Sequence, residues 1–139
     1  MIPINYKKIN KRNIIIKNNN DLYYSTDCVT LNSLNIEFQI KNIKINNEKC
    51  NYNYNENKNV FIAIENIEKH ILNYKKQCFY NLKNILKKNF FYINNYEIIR
   101  TNNKIYKTMN FILILNKIQK SNNNFYLKVN FIIHPLNNN

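Results

Sequence analysis

The sequence predicts a mainly β protein with one long helix, of the α+β class. Three observations predict it. Apolar and polar residues alternate over 34–45, 109–115 and 125–133, the period of a half-buried strand. Only 59–88, NVFIAIENIEKHILNYKKQCFYNLKNILKK, carries apolar residues at steps of three and four. The chain has 139 residues, 45% of them hydrophobic, which is enough for one core and too apolar for disorder.

The elements follow in order. Residues 1–12 form a basic N-terminal arm, flexible or lying on a sheet edge; 13–136 form a single domain, and 137–139 a tail. Apolar runs at 14–16 and 22–24, split by asparagines, predict a hairpin or two edge pieces. Leu34, Ile36, Phe38 and Ile40 face one way, and the phase then slips to Ile43 and Ile45. One extra residue near Lys41 and Asn42 is the sign of a β-bulge, by which small barrels turn corners. Residues 46–59 read as a polar loop bearing Tyr52 and Tyr54, and 60–64 as a short buried strand. The helix buries Ile64, Ile67, Ile71, Tyr74, Cys78, Leu82 and Ile85. Glu65 and Glu68 stand solvated in its first turns, and Lys83, Lys87 and Lys88 in its last, the order its dipole favours. Residues 90–93, 96–100 and 104–107 read as short strand pieces. A final hairpin joins 109–115 to 125–133 through the polar loop 116–124, and Pro135 ends it.

Composition adds two constraints. Asparagine accounts for 34 residues, while there is no Gly and no Trp. Asn, Lys, Ile, Tyr and Phe have A/T-rich codons, so a very A/T-rich genome explains the bias, and no single Asn carries functional weight. Without glycine, turns needing φ > 0 fall to Asn, the next most tolerant residue. The clusters 18–20, 46–47, 94–95, 102–103 and 122–124 are the turn candidates. The charge is +13, from 21 basic and 8 acidic residues. That excess calls for an anionic partner, nucleic acid ahead of an acidic membrane surface.

Signals for chemistry are sparse. Cys28, Cys50 and Cys78 are odd in number and lack a CxxC pair, which fits free thiols in a reducing, intracellular and cytoplasmic compartment, not a zinc site or disulfides. The N-terminus has no apolar leader region, and no apolar run reaches the roughly 18 residues of a membrane span. His70 and His134 stand alone, no nucleophile motif is present, and glycine-built phosphate loops are excluded. No enzyme, cofactor or metal is expected. What remains is lysine interleaved with aromatics on outward phases, the pattern of single-strand binding, where a positive groove tracks phosphates and rings stack on bases. The candidate nucleic-acid-binding residues are Lys41, Lys44, Tyr52, Tyr54, Arg100, Lys104, Tyr106, Lys107, Tyr126 and Lys128.

Strand–strand–strand–helix–strand–strand is the order of the OB-fold, a five-stranded Greek-key barrel with its helix between strands 3 and 4. Three segments carry a closer likeness: LNIEFQIKNIKIN at 34–46, NVFIAIENIEKHI at 59–71, and MNFILILNKIQKSNNNFYLKVNFIIHPL at 109–136. In them the chain resembles the OB-fold single-stranded-DNA-binding proteins of phages, poxviruses and other large DNA viruses, and of yeast cytoplasmic linear plasmids. The family usually carries an aromatic, often Trp, in the last strand, where this chain has Phe131 or Tyr126. Many members end in an acidic tail, where this chain ends in Asn137–Asn139. The resemblance implies a non-enzymatic protein that protects exposed strands in replication with little sequence preference. Single-stranded nucleic acid, DNA preferred, is its expected partner, with self-association and replication proteins beside it and no membrane. Rival expectations are a small basic subunit of a ribonucleoprotein or RNA polymerase assembly, and a packing protein that also binds duplex.

Overall fold

The computed structural model describes residues 1–93 and 103–135. They are mainly β, with one long helix, in an α+β arrangement. The chain opens with β1 (Ile4–Asn5), β2 (Ile14–Ile16), β3 (Leu22–Ser25) and β4 (Thr30–Leu31). The expected hairpin is present: Ile16 lies opposite Leu22, Asn20 turns the chain at φ 67°, and β4 adds a third antiparallel strand. The arm before it lies on the sheet edge. Ile4 pairs in parallel with Ile36, and Ile4, Tyr6 and Ile9 pack on the core.

The main sheet is organised by β5 (Leu34–Asn46) and β8 (Lys104–Leu115), antiparallel along almost their whole lengths. β6 (Lys49–Asn51) and β7 (Phe90–Tyr92) extend it beyond the far half of β5, and β11 (Asn130–Ile133) flanks β8. The order is β11-β8-β5-β6-β7, with β1 on the near half of β5. A parallel bridge between Ile93 and Phe131 links the two ends of that order. Inside lies an aromatic cluster: Phe91 stacks on Phe131 at 4.0 Å, and Phe38 on Phe111 at 5.9 Å.

Two helices connect β6 to β7: α1 (Lys58–Leu72) and α2 (Asn81–Leu86). Several expectations change here. Residues 60–64 are not a strand but the first turns of α1, because Phe61 and Ile64 belong to the same buried stripe as Ile67, Ile71 and Leu72. The helix does not run on to Lys88. It stops at Leu72, Tyr74 is 79% exposed, and Cys78 Sγ donates to the carbonyls of Leu72 and Lys75. Glu65 and Glu68 are buried, not solvated. The supposed loop 46–59 contains β6.

The bend in β5 has a different cause from the one expected. Lys41 lies opposite Thr108 and Ile43 opposite Tyr106, so the register does not shift and no residue is inserted. Instead Asn42 takes φ 55°, which turns two successive side chains outward and moves the inward phase from Ile40 to Ile43. Asn57, 4% exposed, pins the bend: its Oδ1 accepts from Lys41 N at 2.7 Å and its Nδ2 donates to Lys41 O at 3.2 Å. A side-chain amide thus does the work of a paired strand where β5 passes from β1 to β6.

The terminal hairpin also differs. Residues 104–107 are continuous with 109–115 in β8. β9 (Ile118–Ser121) and β10 (Asn124–Leu127) form their own antiparallel pair, turned by Asn122 and Asn123 at φ 49° and 68°. Only β11 returns to β8, so 125–133 is two strands in two sheets. The expectation for Asn turns holds: seven of the eight described non-glycine residues with positive φ are asparagine. The expected strand 96–100 and the turn at 94–95 lie outside the described residues.

Candidate nucleic-acid interface

The charge is distributed in a way that composition could not reveal. Among the described acids, Glu65 and Glu68 are buried, Asp21, Glu37 and Glu48 are half-buried, and only Asp27 and Glu56 are exposed. All 19 lysines lie in the described residues and none is buried. Among those residues no lysine lies within ion-pair distance of an acid; the one such contact is His134 Nε2 with Glu37 Oε1 at 3.4 Å, which is ionic only when the histidine is protonated. The described exterior is therefore more basic than the net charge suggests, and no described carboxylate pairs with its lysines.

The clearest platform is on β6 and β7. Their register sets Lys49 opposite Tyr92, Cys50 opposite Phe91, and Asn51 opposite Phe90. Cys50 and Phe91 point into the core, so Lys49, Phe90 and Tyr92 point out. Lys49 Nζ lies 4.5 Å from the Phe90 ring centre and 5.8 Å from that of Tyr92, within cation–π range. The two rings meet edge to face at 5.6 Å, and Tyr92 is 59% exposed. Beside them a groove of about 650 Å³ runs between α2, β7 and β11, lined by Ile85, Lys88, Val129 and Asn130 and floored by Phe91 and Phe131.

The sequence-predicted residues divide into groups. Lys44, Tyr106 and Lys107 come together with Asn42 and Ile105 around a shallow hollow of about 520 Å³ at the β5 bend. Lys41 and Lys104 are exposed on the same two strands. Tyr52 also borders that hollow, but it is 7% exposed; its hydroxyl donates to Leu86 O at 2.8 Å, and its ring packs on Phe61 and Phe91. It offers no free face to a base. Burial pushes its hydroxyl well above the usual tyrosine range. Tyr54 lies over Phe61 and donates to Glu65 Oε2 at 2.6 Å; burial, helped by Glu65, raises it to about 12. Tyr126, half-buried, donates to Gln119 and stands apart beside Phe79, with Lys128 exposed after β10. Arg100 lies outside the described residues. Sequence reasoning missed Lys49, Lys88, Phe90 and Tyr92. The aromatic run Phe90, Phe91 and Tyr92 was a usable signal, but its pairing with Lys49 joins strands separated by both helices.

Cys28 is exposed, Cys50 buried, and Cys78 half-buried, and all three are free. Desolvation raises Cys50 and Cys78 above the ordinary thiol value. Among the described residues no helix is long and apolar enough to cross a membrane. No family model, curated protein or solved structure matches the chain.

Proposed function

We propose that the chain is a non-enzymatic single-stranded-nucleic-acid-binding protein, with DNA as its working ligand, built on an OB-like five-stranded barrel. The observation that carries the reading is the outward platform of Phe90 and Tyr92 with Lys49 against them, at the mouth of a groove whose rim holds Lys88. Stacking on exposed rings is tolerant of sequence, since every base has a π face, and lysines neutralise the backbone between bases.

Support for the barrel comes from the pairing. β5 to β6 to β7 are antiparallel neighbours, the Ile93–Phe131 bridge is parallel, and β11 to β8 to β5 are antiparallel again. Taken as a ring, that order would match the pairing order of an OB barrel, but the helices fall between its second and third strands and not between the third and fourth as expected.

The test uses tyrosine fluorescence, which no tryptophan obscures. Poly(dT) should quench it, added salt should restore it, and duplex should act weakly. The Phe90→Ala/Tyr92→Ala variant should keep its circular dichroism and lose about tenfold or more in affinity, from about 1–3 kcal/mol per stacked base. Equal affinity for duplex, or undiminished binding by the variant, would sink the proposal. An RNA arm in the same titration decides the sugar preference.

A further inference from the structure

The cavity between α1 and α2 takes no part in the strand-binding reading. It measures about 440 Å³. Its rim carries Lys58 and Lys69 from α1 and Lys83 and Lys87 from α2 and its end, all exposed and none paired with a described acid. Its floor has the opposite sign. Glu68 is fully buried and uses its two oxygens on Leu82 N at 2.7 Å and Lys83 N at 3.0 Å. Glu65 is 9% exposed and accepts the Tyr54 hydroxyl on Oε2. Its Oε1 has no partner among the described residues and is not sealed from solvent, and Glu65 lines the cavity. Tyr80 and Ile62, 37% and 41% exposed, supply the apolar walls.

A simple anion would meet the lysines but also the carboxylate floor, and a simple cation would meet the reverse. A ligand that satisfies both donates hydrogen bonds from its inner end and carries negative charge at its outer end. A nucleotide with an amino-bearing base has that polarity, and a carboxylate oxygen accepts well from a cytosine-type amino group. Thymine turns carbonyl oxygens toward the same carboxylate.

We infer that this cavity is a second binding site, for a single nucleotide unit whose base bears an exocyclic amino group. The amino group lies on Glu65 Oε1, the ring lies between Tyr80 and Ile62, and the phosphate lies among Lys58, Lys69, Lys83 and Lys87. The inference does not depend on the β7 platform.

The experiment titrates the full chain with 5′-dCMP, 5′-dTMP and inorganic phosphate, read by amide chemical shifts. Expected are saturable dCMP shifts at Glu65, Tyr80 and Lys83, with dTMP about tenfold weaker. Lys83→Ala/Lys87→Ala, at two exposed positions, should abolish saturation, and Glu65→Gln should erase the preference for dCMP. Phe90→Ala/Tyr92→Ala should leave dCMP binding unchanged. Equal dTMP binding, or phosphate competing as well as dCMP, overturns the inference. Binding lost in the Phe90/Tyr92 variant but kept in the lysine variant also overturns it, and leaves the strand-binding proposal standing.

Discussion

At the scale of single residues, Glu68 holds the two helices in relation. α2 begins without a side-chain cap of its own, and the Glu68 carboxylate, delivered from α1, takes its first free N–H groups. Burial raises that carboxyl to about 7, against two backbone hydrogen bonds that pull it down. The unfolded chain releases this proton near pH 4.5 and the folded chain near 7. Between those values the unfolded state binds fewer protons, so stability falls as pH rises. The loss should reach about 2–3 kcal/mol by pH 7.5. Urea midpoints at pH 5 and 7.5 should therefore differ more for the native chain than for Glu68→Gln; parallel profiles would refute this. Tyr52 closes the other end of α2 through Leu86 O. Tyr52→Phe should cost about 1 kcal/mol of stability and leave single-strand affinity unchanged. Neither role was legible in the sequence. Glu68 looks like a first-turn acid and Tyr52 like a loop tyrosine until the partner backbone is known.

At the scale of elements, the legible features were local. Alternation located β5 and β8, and the change of inward phase at Ile43 was real. Its mechanism was not legible, since an inserted residue and a left-handed Asn42 leave the same one-dimensional trace. The helix start was misread because an apolar run of five residues suits a strand or a helical turn equally well. The break after Leu72 was hidden because apolar spacing continues through the connector. Asn57 marks the join between bent strand and helix. Asn57→Ala would leave Lys41 N and Lys41 O without partners, at a cost of about 2–3 kcal/mol. Denaturant unfolding measures that, and protection of the Lys41 amide from hydrogen exchange should fall with it.

At the scale of the whole molecule, charge was readable from composition, but the retreat of acids from the surface was not. For the proposed single-strand binding, that retreat leaves the lysines to set a strong dependence on salt. For single strands the slope of log affinity against log salt is about −0.7 per neutralised phosphate, so Lys49→Ala/Lys88→Ala should flatten it by about 1.4. An unchanged slope would place the phosphate path elsewhere. Fold class was legible because period-2 and period-3.6 patterns are intrinsic to the chain. The parallel bridge between Ile93 and Phe131 was not, because it joins two short segments with no mutual signature. The long β5–β8 ladder also governs how the molecule assembles. Leu34 meets Leu115 and Ile45 meets Lys104 only after β6, both helices and β7 have been gathered between them. The entropy of closing so large a loop is lost before any rung repays it, so the helices form early, the ladder forms late, and refolding belongs in the slow, millisecond-to-second range of non-local β topologies.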